Sequence, residues 1–228
     1  TTFIDTVFNV TFYWCFWCHS HDSYTRRILN KIMSIGIFYA SNFIDSVEII
    51  REKLFSEAFQ TFFGFPYQEA EISISSGGKP EFKAGCHAGC FFNLSHSKTI
   101  LALACSTSLI GIDVEDQRFF SPKLIQRISS KEELLTHEES LVSQSYALAL
   151  WTFKEAYVKY TGNGLREPFH SFSVPNLDDS LLAQSSFQLM HSPKETETLF
   201  FFSMPILHSR LTICSTDPSS PQLVPLIL

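Results

Sequence analysis

The spacing of apolar residues changes several times along the chain, and each change predicts an element. Phe8, Val10, Phe12, Trp14 and Phe16 alternate with Asn9, Thr11 and Tyr13, the two-residue repeat of a strand with one buried face. From Ser23 to about Phe63 the repeat lengthens. Ile44, Val47, Ile50, Leu54, Phe55, Ala58 and Phe59 recur at three and four residues and stop before Gly64 and Pro66, which predicts helix. A short strand is expected over 71–75, broken by the turn Ser76-Gly77-Gly78-Lys79-Pro80. Three further strands are expected over 91–94, 99–105 and 109–115, and then helices over 122–128 and 131–135. A long periodic run over 140–160 stops at Thr161-Gly162-Asn163-Gly164, a C-terminal helix signal. Segments 169–174, 186–190, 199–204 and 210–214 read as strands, and the Pro- and Ser-rich stretch 217–225 reads as loop.

Strand and helix blocks thus alternate in two comparable halves, which predicts an α+β fold rather than a doubly wound sheet. A boundary near residue 115 divides the chain into 1–115 and 116–228.

Composition narrows the function classes. The 228 residues carry a net charge of −6, with 17 basic and 23 acidic side chains, which argues against a generic nucleic-acid binder. An anionic ligand would need the basic residues concentrated locally. No run of about 18 apolar residues predicts a membrane span. The apolar start, Phe3 to Cys18, lacks a preceding basic region and is interrupted by Asp5 and Asn9, so a signal peptide is not expected and a cytoplasmic location is. The six cysteines are then expected to be reduced.

The densest chemistry lies in Gly111-Ile112-Asp113-Val114-Glu115 and Trp151-Thr152-Phe153-Lys154-Glu155-Ala156-Tyr157-Val158-Lys159. On a strand, Asp113 and Glu115 project from one face. On a helix, Trp151, Glu155 and Lys159 share one stripe. Three converging carboxylates repel one another, by about 4 kcal/mol per pair at 4 Å and an effective dielectric near 20. A divalent cation removes that cost. An all-oxygen set (Asp113, Glu115, Glu155) suits magnesium, or manganese, better than zinc. Lys154 and Lys159 add positive charge for a phosphate. The plainer alternative is an exposed Glu155–Lys159 pair worth a few tenths of a kcal/mol.

These two blocks resemble the signature motifs of the 4′-phosphopantetheinyl transferase superfamily. Gly78-Lys79-Pro80 is similar to the family's Gly-Lys-Pro turn, and Phe92-Asn93-Leu94-Ser95-His96-Ser97 to its Asn-(Ile/Leu)-Ser-His-Ser block. Gly162-Asn163-Gly164-Leu165 and Phe172-Ser173-Val174 resemble the family's segment after the helix. The chain length resembles the larger, surfactin-type members. The resemblance implies a monomeric pseudo-dimer of two α+β halves with the active site between them. It also implies transfer of 4′-phosphopantetheine from coenzyme A to a serine of an apo acyl or peptidyl carrier protein, releasing adenosine 3′,5′-bisphosphate (holo-[acyl-carrier-protein] synthase chemistry). Asp113, Glu115 and Glu155 would hold magnesium, Glu155 would take the serine proton, and Lys159 would stabilise or protonate the departing phosphate. Lys154 is expected at a phosphate, Lys79 and Pro80 at the adenine end, and Ser95 and His96 at phosphates. In the N-terminal half the chain departs from the family pattern: Asn42 and Ser46 stand where an arginine and a glycine are usual. Arg26, Arg27 and Lys31 form a basic cluster that reads as either the site of the 3′-phosphate or a solvated helix face.

A non-catalytic relative that binds coenzyme A or a carrier protein is the alternative reading. A weaker one is a zinc or dithiol redox protein using Cys15, Cys18, His19 and His21 with Cys86, His87 and Cys90. An alternating strand would point Cys15 and Cys18 to opposite faces, so buried reduced thiols are expected instead. Pro122, Lys123, Arg127 and Lys131 form a positive stretch that reads as either a docking surface for an acidic carrier or a solvated helix face.

Overall fold

The computed structural model describes residues 34–41, 46–136, 143–174, 186–191 and 198–226. The strand expected over 8–16, the Cys15–Cys18 pair with its histidines, the Arg26, Arg27 and Lys31 cluster, and Asn42 lie outside the described residues.

The architecture is mixed α+β, built on two four-stranded sheets. The first contains β1 (Ile35–Ser41), β4 (Phe91–His96), β5 (Ile100–Ser106) and β10 (Gln222–Pro225), in the order β10-β1-β5-β4. The second contains β6 (Ile110–Asp116), β7 (Ser186–His191), β8 (Thr198–Ile206) and β9 (Ser209–Ser215), in the order β6-β9-β8-β7. A two-stranded ribbon, β2 (Ile72–Ile74) with β3 (Pro80–Phe82), carries the turn through Gly78. Helices are α1 (Val47–Ala58), which runs on as a π turn over Phe59–Phe63, then α2 (Pro122–Ile128), α3 (Lys131–Thr136) and α4 (Gln144–Thr161).

Strand alternation assigns each sheet face a partner. Ile110, Ile112 and Val114 of β6, with Leu211 and Ile213 of β9 and Phe202, Met204 and Ile206 of β8, pack with Ile35, Ile37, Ile100, Ala102 and Ala104 of the first sheet. Their neighbours point the other way: Leu199, Phe201 and Cys214 pack with Ala149, Phe153, Ala156 and Tyr157 of α4. On β6 that opposite set is Gly111, Asp113 and Glu115. A Cβ on Gly111 would lie 2.1 Å from the Ala156 carbonyl oxygen and 2.4 Å from the Tyr160 nitrogen. Only glycine lets α4 cross β6 this closely.

Three expectations are corrected. Ile35–Ser41 is a buried strand and not the start of a helix. A short apolar run has no decisive period, and pairing with β5 along its whole length settles the choice. Residues 169–174 hold a 3₁₀ turn over Phe169–Ser171 instead of a strand, because Phe172 and Val174 bury against α4. The stretch 217–225 is not all loop, since β10 pairs in parallel with β1. Apart from β3, a short strand that the sequence does not predict, the other helices and strands among the described residues fall within a few residues of expectation.

Candidate active site

α4 is fixed at both ends. The Ser143 hydroxyl accepts from the Tyr146 amide at its start, and Gly162, at φ 72°, takes the left-handed cap at its end. Lys159 therefore sits in the last turn, where a cation is favoured by the helix dipole. Its ammonium donates to Asp113 Oδ1 at 2.7 Å and to Ser95 Oγ at 2.9 Å. The plainer alternative, a Glu155–Lys159 pair along the helix, gives way to a tertiary contact to a strand.

Ser95 explains how the site joins the two sheets. β4 and β6 are edge strands of different sheets, with backbone groups left to satisfy. Side chains of β4 satisfy them: Asn93 Oδ1 accepts from the Ile112 amide at 2.9 Å and Ser95 Oγ from the Val114 amide at 3.2 Å. Ser95 also donates to Asp113 Oδ1 at 2.9 Å. With one donor and two lone pairs, the hydroxyl is fully used. In this arrangement it positions Asp113 and Lys159, and the phosphate contact expected of it would have to displace one of these bonds. His96 is exposed at the end of β4.

The acidic residues come within electrostatic reach of one another. Burial first, then the charges of Asp113 and Glu115, push the Glu155 carboxyl up to about 7, against the pull of Lys159 and Arg118. Glu115 is raised for the same first reason, while Arg118 pulls it down through an ion pair of 2.7 Å. Asp113 Oδ2 is buried with no hydrogen-bond partner among the described residues, an expensive state for a carboxylate oxygen. That orphaned atom, in an all-oxygen set, fits a hard divalent cation. No three His, Cys, Asp or Glu side chains are gathered into a ready metal cage among the described residues. Lys159 and Arg118 instead each hold one carboxylate.

A cleft of about 220 Å³ adjoins this group, lined in part by Lys79, Pro80, Asn93, Glu155 and Lys159. Gly77 brings the Lys79 turn onto the end of α4: a Cβ there would meet the Gly162 carbonyl oxygen at 2.1 Å. The Lys79 ammonium donates to the Ile110 carbonyl at 3.0 Å, and burial lowers its pKa to about 8, with Glu81 opposing. Four residues predicted for the site, Lys79, Pro80, Glu155 and Lys159, thus line one cleft.

Lys154 does not. It is fully buried and donates to Glu133 Oε2 at 2.7 Å, to the Phe169 carbonyl at 2.7 Å and to the Phe172 carbonyl at 2.9 Å. All three ammonium donors are used, so the phosphate contact expected of Lys154 is corrected to a structural one. The sequence signal for its partner is a capping box, Ser130-Lys131-Glu132-Glu133, and it went unread. The Ser130 amide donates to Glu133 Oε2 at 2.7 Å and the Glu133 amide to Ser130 Oγ at 3.1 Å. Arg118 was also missed, and only its three-residue spacing from Glu115 hints at it.

Comparison with known proteins bears on the same residues. Residues 109–201, from β6 through α4 to β8, match the family model described as "4′-phosphopantetheinyl transferase superfamily". The resemblance to that superfamily holds. The chain is 31% identical over 135 residues to 4′-phosphopantetheinyl transferase Sfp of Bacillus subtilis (strain 168), covering 58% of this chain and 57% of that protein. It is 26% identical over 133 residues to 4′-phosphopantetheinyl transferase psf-1 of Bacillus pumilus, covering 58% and 56%. With 4′-phosphopantetheinyl transferase HetI of Nostoc sp. it shares 33% over 110 residues, covering 42% and 44%. The chain matches less than two thirds of the length of these phosphopantetheinyl transferases. The matched family region supplies Asp113, Glu115, Glu155 and Lys159. Ser95 and Lys79 precede it in the sequence.

The zinc or dithiol reading gains no support from the turn at Cys86. The His87 ring stacks on Phe65 at 3.7 Å and bonds Glu71 at 2.8 Å, and Cys86 and Cys90 are free thiols. Among the described residues no helix is long and apolar enough to cross a membrane.

Proposed function

We propose that this chain transfers 4′-phosphopantetheine from coenzyme A to a serine of an apo acyl or peptidyl carrier protein, releasing adenosine 3′,5′-bisphosphate. The observation that carries the reading is the convergence of Glu155, Lys159 and Lys79 on one cleft beside Asp113 and its orphaned oxygen. The family match over 109–201 supports it. We take the protein to be a monomeric, cytoplasmic pseudo-dimer of halves 1–115 and 116–228, with the site between them. Arg26, Arg27 and Lys31 are proposed for the 3′-phosphate of coenzyme A, and His96 for a phosphate at the rim.

Asp113, Glu115 and Glu155 would hold magnesium (manganese as a substitute), which when bound neutralises a pyrophosphate and the charge developing on it. The remaining work falls to the chain's own groups. Glu155 Oε takes the proton of the carrier serine hydroxyl as that oxygen attacks phosphorus, from its place on the wall of the cleft. Lys159 Nζ, already oriented by Asp113 and Ser95, stabilises the leaving phosphate oxygen or protonates it. Lys79 and Pro80 line the same cleft and are proposed for the adenine end.

Incubation with coenzyme A, magnesium and an apo carrier protein tests the proposal. The carrier should gain the phosphopantetheine mass with the wild-type chain and not with Glu155→Ala. Coenzyme A binding without any mass gain would assign the chain to a non-catalytic relative.

A further inference from the structure

We propose that Arg118 is a built-in competitor for the cation site, holding the Glu115 carboxylate in reserve until a divalent cation displaces it. The inference rests on the metal reading above and adds a residue that no motif contains.

An ion pair between residues three apart, with side chains 38% and 26% exposed, would ordinarily contribute little. This one is seated. The Arg118 guanidinium lies 4.5 Å from the Phe120 ring centroid and 4.8 Å from that of Trp151. A planar, weakly hydrated cation gains from such stacking more than an ammonium does. The aromatic floor is itself fixed. Phe169 packs edge-on to Trp151 at 5.4 Å, the Phe120 amide donates to Gln144 Oε1 at 2.6 Å, and Gln144 Nε2 returns a bond to the Phe120 carbonyl at 3.2 Å. Arg118 is thus held over α4 with its Nε aimed at Glu115.

The acidic group is in this way neutralised from within: Lys159 on Asp113, Arg118 on Glu115. A divalent cation that engages Glu115 meets a carboxylate already carrying a guanidinium on Oε1, and not a waiting cage, which agrees with the absence of a gathered three-ligand cluster among the described residues. Cation binding to the free protein is then weaker than the three carboxylates alone would give.

Manganese titration of the full chain tests this, with free Mn²⁺ counted by electron paramagnetic resonance and site occupancy monitored by quenching of tryptophan fluorescence. Arg118→Gln should lower the Kd for Mn²⁺ by about five- to tenfold, and Arg118→Lys, which keeps charge but loses the stack, by about two- to threefold. Lys123→Gln, which removes an exposed charge elsewhere, should change it by less than about 1.5-fold. Equal or weaker binding by Arg118→Gln would overturn the inference, because Arg118 would then be neutral or would position Glu115 for the metal. So would equal tightening in Lys123→Gln, which would mean general electrostatics. If no variant and no wild-type protein binds Mn²⁺, the metal reading itself fails and this inference with it. Thermal unfolding of each variant confirms that folded protein is compared.

Discussion

Helix α4 presents two lysines five residues apart, and they face opposite fates. Five residues turn a helix by about 140° beyond a full circle, so Lys154 and Lys159 emerge on different sides. Lys154 meets Glu133 with side-chain exposures of 0% and 1%, and Lys159 meets Asp113 at 27% and 6%. Both pairs close at 2.7 Å. What separates them is the state of the remaining donors and acceptors. Every Lys154 donor is used, and both Glu133 oxygens accept protein donors, Oε1 from the Val174 amide at 2.6 Å. Around Lys159, Asp113 keeps a buried oxygen with no partner among the described residues, and Glu155 is pushed toward neutrality. A charge pair whose valences are all satisfied holds the fold. One that leaves valences open beside a cleft is available for chemistry.

Breaking each pair should therefore give opposite phenotypes. Lys154→Met leaves the Glu133 charge buried and should cost about 3–5 kcal/mol in urea unfolding; adding Glu133→Leu should recover part of this, limited by the lost α3 cap. Lys159→Met should lower transfer by about 10²–10³-fold while costing less stability than Lys154→Met, about 1–2 kcal/mol, because the Lys159 ammonium is partly solvated although Asp113 is buried. The crossing that brings the helix over β6 is tested by Gly111→Ala, which should destabilise by about 1–3 kcal/mol or more through overpacking against the Ala156 carbonyl. A neutral Gly111→Ala would mean that α4 does not cross β6 this closely.

The smallest effect is a pH dependence. The folded Glu155 pKa of about 7 lies above the ordinary carboxylate value of 4.5, so the folded state binds more protons between them. Its contribution to stability is fully present below about pH 4.5 and is lost as pH rises through 7. In metal-free protein, Glu155→Gln should remove that fall and be more stable than wild type at pH 8 by about 1–2 kcal/mol. Parallel melting curves across pH 5–8 for the two proteins would contradict this.

The sequence and structure agree best where a residue's role depends on local period. Asp113 and Glu115 share a strand face, and Gly162 ends α4, as two- and four-residue spacings demand. Roles set by tertiary partners were illegible. Nothing local distinguishes Lys154 from Lys159, since burial is decided by Glu133 and by the carbonyls of Phe169 and Phe172. Ser95 reads as a phosphate ligand from its block, yet the unpaired edge of β6 claims its hydroxyl. The Gln222–Pro225 strand depends on Ile35–Ser41 across nearly the whole chain, a pairing no window of neighbouring residues contains.

The most direct test weighs an apo carrier protein over time with coenzyme A, magnesium and either wild-type chain or folded Lys159→Met. A phosphopantetheine mass gain with wild type, slowed at least about a hundredfold by Lys159→Met, is the predicted result. An unchanged carrier mass with wild type, or equal rates for the two proteins, would contradict the assignment of the Lys159 end of α4 as the seat of transfer.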